Sequence, residues 1–161
     1  MAIKLEKAQS EDTYRLFNMQ YTAFLPLLEK YRDYNTSPAN ESIDKFAERL
    51  IRPDSMFFKI IEDGQLCGAI RVHWKEEGRF WVSPLFIHPD CQGRGIASKA
   101  MAMAEEQFPE AVSWELATIL EEEGNCRLYE KAGYVRTGAA QQLNEKATLG
   151  YFKKLLKDVE R

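Results

Sequence analysis

The feature that most constrains this chain is the segment FIHPDCQGRGIASKAMAMAEEQF, residues 86 to 108. An apolar run stops at His88-Pro89-Asp90, and Gln92-Gly93-Arg94-Gly95-Ile96-Ala97 follows directly. A helical pattern from Ser98 to Phe108 comes next and is closed by Pro109. Strand, glycine knot and helix in that order predict a turn whose backbone N–H groups become the unpaired donors of a helix N-terminus. Those donors, with the helix dipole behind them, make a site for an anion. Gly93 and Gly95 have no side chains, so an oxyanion can approach the backbone closely. Arg94 adds a planar fork of donors suited to phosphate. A plain corner between strand and helix remains the alternative at this point. Two nucleotide motifs do not fit. A Walker loop needs Gly-Lys-Ser/Thr where Gly95 is followed by Ile96-Ala97, and a dinucleotide fingerprint starting at Gly93 needs Gly or Ala where Ser98 stands.

The rest of the chain bounds the answer. At 161 residues and 45% hydrophobic, it predicts one compact domain over residues 1–161. Net charge is −3 with both signs interspersed, which argues against the strongly basic face of a nucleic-acid binder. No apolar run is long enough to span a membrane, and the N-terminus turns polar at Lys4 too soon for a signal peptide. Cys67, Cys91 and Cys126 are odd in number and widely spaced, with no CxxC. With two histidines in all, neither a disulfide framework nor a metal site is expected. The expectation is a reduced, cytoplasmic protein without nucleic-acid or membrane partners.

Periodicity supplies the elements. A strand is expected over Ile3 to Ala8, then a helix capped by Ser10 that Pro26 bends or divides. Asp33 to Asn40 is loop chemistry, and a second helix opens at Ser42 and ends before Pro53. Strands follow over Met56–Glu62, Gln65–Trp74 and Arg79–Ile87, the first two joined by the hairpin signal Asp63-Gly64. After the knot and its helix come a strand over Val112–Leu120, a short helix over Asn125–Ala132, and strands over Tyr134–Gln141 and Ala147–Leu155. The order β-α-α-β-β-β-α-β-α-β-β implies an α/β fold of α+β character, a mixed sheet covered by helices. Pro84 inside the strand Phe80–Ile87 has no N–H for the ladder and belongs at a bulge or an edge.

Gln92-Gly93-Arg94-Gly95-Ile96-Ala97 matches Gln/Arg-x-x-Gly-x-Gly/Ala, and in this the chain resembles the GNAT-type N-acetyltransferases. NCRLYEKAGY, residues 125 to 134, is similar to that family's later Asn-x-x-x-x-Tyr segment. The element order is also the family's. The resemblance implies a GNAT-like domain with its sheet splayed between the fourth and fifth strands, where acetyl-CoA lies as co-substrate. It implies that Gln92, Gly93, Arg94, Gly95, Ile96, Ala97 and Ser98 hold the pyrophosphate. Leu85, Phe86 and Ile87 would offer main-chain groups to the pantetheine arm. Asn125 would contact that arm, and Lys131 would reach the phosphates.

The same resemblance places Tyr129 beside the sulfur, where it can protonate the departing thiolate. Glu115, an acid within the apolar strand SWELATIL, is the candidate general base for the attacking amine. His73 and His88 are weaker candidates, read as a strand end in solvent and a turn. Cys91 adjoins the anion site without a partner base. The implied activity is transfer of acetyl from acetyl-CoA to a primary amine by direct attack in a ternary complex, without a metal. The alternative is a catalytically inactive acyl-CoA sensor or interaction module. The resemblance also admits a homodimer. It implies an acceptor pocket shaped by the first two helices and their loop, roughly Phe24 to Arg49, where Tyr31 and Tyr34 stand among Glu29, Asp33, Glu41 and Asp44. That set suits a cationic amine, yet small amine, amino acid, antibiotic and protein acceptors all stay open.

Overall fold

The structure, a computed structural model, describes residues 2–156. Seven strands and four helices follow in the expected order: β1 (Ile3–Lys7), α1 (Thr13–Tyr31), α2 (Ile43–Leu50), β2 (Ser55–Glu62), β3 (Gln65–Lys75), β4 (Arg79–Ile87), α3 (Ile96–Glu106), β5 (Ser113–Ile119), α4 (Glu123–Lys131), β6 (Val135–Gln142) and β7 (Thr148–Leu155). The strands form one mixed sheet in the order β1-β2-β3-β4-β5-β7-β6. Only β4 and β5 pair in parallel. A parallel pair needs a long crossover, and here the glycine knot and α3 supply it.

Both faces of the sheet are covered, which is why Phe57 and Phe58, adjacent in β2, are both buried. Phe58, Ile70, Val72, Phe80, Val82, Trp114 and Phe152 pack with Ile96, Ala100, Met101 and Ala104 of α3 and Cys126 of α4. On the other face, Phe57, Ala69 and Phe86 meet Leu16 of α1 and Phe46 of α2. Phe46 lies 5.7 Å from Phe17 and 5.3 Å from Phe57, ring to ring. Burying a phenylalanine is worth roughly 1.5–3 kcal/mol, so this side chain anchors α2.

Local chemistry sets the boundaries. Asp12 accepts from the Gln9 N–H at 2.8 Å and closes the short 3₁₀ turn Ser10–Asp12; α1 then starts with Asp12, not Ser10, at its cap position. Ser42 caps α2 by accepting from the Lys45 N–H at 3.2 Å. Pro26 does not divide α1, which runs through it. Pro26 and Thr22 are both exposed, so the Thr22 carbonyl that loses its helical partner is open to water. α3 starts at Ile96, two residues earlier than expected, which sets the knot directly against the helix. α4 starts at Glu123, also two residues early.

The expected irregularity at Pro84 is present. On β3 the register passes from Ile70 to Val72, while on β4 it passes from Leu85 to Val82. One extra residue on β4 is a bulge around Ser83-Pro84, and bulges re-aim the strand that carries them.

Candidate active site

β4 and β5 are hydrogen-bonded only over Arg79↔Ser113, Phe80↔Trp114 and Trp81↔Glu115. Beyond Trp81 comes the bulge, and the two strands part. Leu85, Phe86 and Ile87 stay paired to β3, opposite Ile70, Ala69 and Gly68. The His88 N–H donates to the Cys67 carbonyl at 2.7 Å, and antiparallel pairs alternate. Phe86 therefore directs its amide toward β3, while Leu85 and Ile87 direct theirs into the gap. Of the three residues, Leu85 and Ile87 carry the gap-facing amides, the Ile87 carbonyl being taken by the Gln92 side chain, and Phe86 contributes a buried ring. A close approach locks this arrangement: a Cβ on Gly68 would stand 2.2 Å from the Phe86 carbonyl oxygen.

The gap leads to the knot. Gly93 and Gly95 have φ of +81° and +77°, the left-handed region where glycine is at no disadvantage. A Cβ at either would meet nothing within 4 Å, so open space lies over the loop. The N–H groups of Gly93, Arg94 and Gly95 have no backbone acceptor among the described residues, and those of Ile96, Ala97 and Ser98 are left over in the first turn of α3. Gln92 braces the loop by donating to the Ile87 carbonyl at 3.0 Å. Arg94 is half-exposed and ion-paired with buried Glu62 at 3.0 Å, so part of its fork is already engaged. His88 Nδ1 accepts from the Asp90 N–H at 3.0 Å, the turn role expected of it. Below the loop the Cys91 thiol donates to Cys67 Sγ at 2.7 Å. Burial first, then Cys91, pushes the Cys67 thiol up to about 12, so Cys67 stays a protonated, buried packing residue at neutral pH.

α4 follows β5 and lies on the same face as α3. Tyr129 is half-buried, its ring 6.3 Å from Tyr134 and 6.2 Å from Phe152. Burial, then the Cys126 thiol, pushes its phenol up to about 12, so it carries its proton at neutral pH. Asn125 sits inside α4, whose cap residue is Glu122, so it does not cap the helix and its amide is free for another task. Lys131 is exposed in the last turn.

Glu115 occupies the last β4–β5 rung, opposite Trp81, where the strands separate. It is 9% exposed, and Arg79 Nε and Nη2 each donate to its Oε2 at 3.3 Å. It points to the face of α1 and α2, the face opposite α3. His73 is on this face too, stacked 6.2 Å from Trp81 at 12°, not standing in solvent. Burial, then the Arg71 and Lys75 charges, lowers its pKa to about 4.

Residues 11–134 match the acetyltransferase (GNAT) family. The chain belongs to that family. Among curated proteins it is 27% identical over 138 residues to an aminoalkylphosphonate N-acetyltransferase of Salmonella typhimurium, covering 81% of this chain and 84% of that protein. Its fold is similar to the PaiA N-acetyltransferase of Thermoplasma acidophilum in complex with coenzyme A, with TM-score 0.76, 17% identity, and 97% and 100% of the two chains covered. It is equally similar to the spermidine N-acetyltransferase of Vibrio cholerae in complex with CoA and spermine, with TM-score 0.76, 16% identity and 95% of each chain covered. A GNAT fold thus explains why the parted strands, the knot and α4 converge.

Several charged residues beside the gap and the knot lie outside the sequence motifs. Arg79, partner of Glu115, and Glu62, partner of Arg94, are recognisable only once the strands are paired. Arg71, buried in β3, donates from Nη1 to the Ser83 carbonyl at 3.0 Å, right at the bulge. A charged residue inside the apolar run LCGAIRVHW was the available signal. Of the acids expected to favour a cationic acceptor, Glu41 is taken up by Arg49 and by Gln20, whose Nε2 is 2.9 Å away.

Proposed function

We propose that the protein transfers the acetyl group of acetyl-CoA to a primary amine by direct attack in a ternary complex. The observation that carries this reading is the gap between β4 and β5, open from the Trp81–Glu115 rung onward and leading to the free N–H groups of the knot. In this reading the N–H groups from Gly93 to Ser98 hold the pyrophosphate, aided by Arg94 and Lys131. Leu85, Ile87 and Asn125 hold the pantetheine arm, and a gap-facing N–H of β4 polarises the thioester carbonyl. Glu115 takes a proton from the ammonium before attack, the freed amine forms the C–N bond as the C–S bond breaks, and Tyr129 offers its phenolic O–H to the departing thiolate. The cytoplasm supplies acetyl-CoA and keeps three buried thiols reduced.

The activities of the relatives do not choose an acceptor, since one is named for aminoalkylphosphonates and another was crystallised with spermine. The experiment is turnover of acetyl-CoA with a panel of primary amines, reading free thiol and the mass of the acetylated product. Amine-dependent thiol release supports the enzyme. A chain stabilised by CoA that releases no thiol with any amine is a sensor instead.

A further inference from the structure

Buried donors without acceptors gather on the α1/α2 face, at the mouth of the gap. Arg71 is 4% exposed, and its five N–H donors have one protein acceptor among the described residues, the Ser83 carbonyl. Its Nε is enclosed and unpartnered, as are Arg49 Nε and the Trp81 indole nitrogen. Arg49 and Arg52 lie close enough for their charges to add to the burial that lowers the Arg71 pKa to about 10. Arg71 and Trp81 share this face: Trp81 pairs with His73, two residues along β3. A buried cation without a counterion is costly, and each enclosed donor without an acceptor adds to the cost. A strand that retains such a residue has a use for it.

The acids nearby do not meet the demand. Glu41 is paired with Arg49, Asp54 with Arg52, and Glu115 with Arg79. No described carboxylate forms an ion pair with Arg71. Ser83, which Arg71 touches, is exposed at the bulge where β4 leaves β5. An acceptor whose amine lies at the gap therefore has its tail within reach of this face.

We infer that Arg71, with Arg49 and Trp81 beside it, binds an anionic group, a carboxylate or phosphonate, carried by the amine acceptor. This rests on the acetyltransferase reading for the word acceptor, but the anion site itself is a binding claim. Arg71 is then a specificity-determining residue. Its planar fork suits a two-oxygen anion, and the orphaned donors of Arg49 and Trp81 face the same shortage of acceptors. The aromatic and acidic composition of residues 24–49, read alone, points to a cationic acceptor. Of those acids Glu41, the one that lies beside Arg49, is already neutralised by it in the folded chain, and what stays unmatched next to Arg71 is positive charge.

The test uses the full chain loaded with CoA and pairs of amines that differ only in the anion: aminomethylphosphonate against methylamine, and β-alanine against ethylamine. Binding is followed by calorimetry, and kcat/KM is measured for the same pairs. Wild type should bind at least one anionic amine saturably and at least about ten-fold more tightly than its neutral partner. Arg71→Met should reduce that preference to near unity, while Arg71→Lys, keeping the charge but losing the fork, should retain part of it. The thermal shift produced by CoA checks that each variant is folded. Should Arg71→Met fail that check, Arg49→Met takes its place and should lower the preference several-fold. Wild type with no preference in either pair, or a folded Arg71→Met with its preference intact, overturns the inference. Binding needs no turnover, so anion preference without acetyl transfer would strike the enzymatic reading and leave the anion site standing.

Discussion

Replacing Tyr129 with phenylalanine separates catalysis from architecture. The ring contacts with Tyr134 and Phe152, at 6.3 and 6.2 Å, survive the substitution, and the phenol oxygen has no hydrogen-bond partner to lose among the described residues. Stability should stay within about 0.5 kcal/mol of wild type, and the thermal shift produced by CoA should be retained. The loss in rate follows from acidity. The Tyr129 phenol sits at about 12, whereas an ordinary thiol sits at about 8.5. Full transfer of the phenol proton to a free thiolate is thus uphill by several kcal/mol. The phenol therefore acts chiefly by donating a hydrogen bond to the charge that develops on sulfur. Hydrogen bonds to charged groups are worth about 1.5–3 kcal/mol, which converts to a fall in kcat of about 10- to 150-fold. That is at and below the lower edge of the usual range for general acids. Single-turnover thiol release with saturating amine measures it. A kcat within about three-fold of wild type with CoA binding intact would refute the acid role, and loss of the CoA shift would make Tyr129 structural.

Gly95→Val places a β-branched residue at φ +77°, which costs about 1–2 kcal/mol, and sets methyl groups in the open space over the knot. The stabilisation of about 2.7 kcal/mol expected from CoA at 100 times its Kd should vanish in a thermal-shift assay, and an unchanged shift removes the pyrophosphate role. Glu115→Gln should lower kcat by about 10²- to 10⁴-fold and abolish the acidic limb of the pH–rate profile with CoA binding retained; an unchanged profile assigns the proton to a water chain. His73 has a folded pKa of about 4 against about 6.5 unfolded. The depressed value means its contribution is present above pH 6.5 and is lost as pH falls through 4. The loss by pH 4 is at most about 3 kcal/mol, and urea midpoints of His73→Gln measured against wild type at pH 7 and pH 4.5 should converge as pH falls. A constant difference refutes the depressed pKa.

Much of the fold was legible because its signals are local. The aromatic and β-branched runs of β2 and β3, the Asp63-Gly64 turn and the helical spacing of α3 each involve neighbours in sequence. Even the bulge was readable, since Pro84 lacks the N–H a central strand needs. What misled were competing local chemistries. Ser10 is a good cap, but Asp12 reaches back to the Gln9 N–H and wins the position. Pro26 breaks a helix only where its freed carbonyl cannot be solvated, and here Thr22 lies open to water.

The site divides along the same line. The glycine knot proposed to hold the pyrophosphate is one contiguous stretch, so its glycines could be read directly and the start of α3 to within two residues. The proposed acceptor side draws on α1, α2, β3, β4 and β5, and no stretch of sequence displays it. Glu115 and Arg71 make the point, as both are charged residues inside apolar strands. In sequence they look alike, yet strand pairing gives Glu115 the Arg79 guanidinium and gives Arg71 only the carbonyl of an exposed serine. Which charge is satisfied depends on partners 36 and 12 residues away, set by the register across β4. A family can therefore hold its CoA half in one short motif while the acceptor half varies one side chain at a time. The unpaired guanidinium of Arg71 is the kind of residue through which a member of such a family distinguishes its own amine.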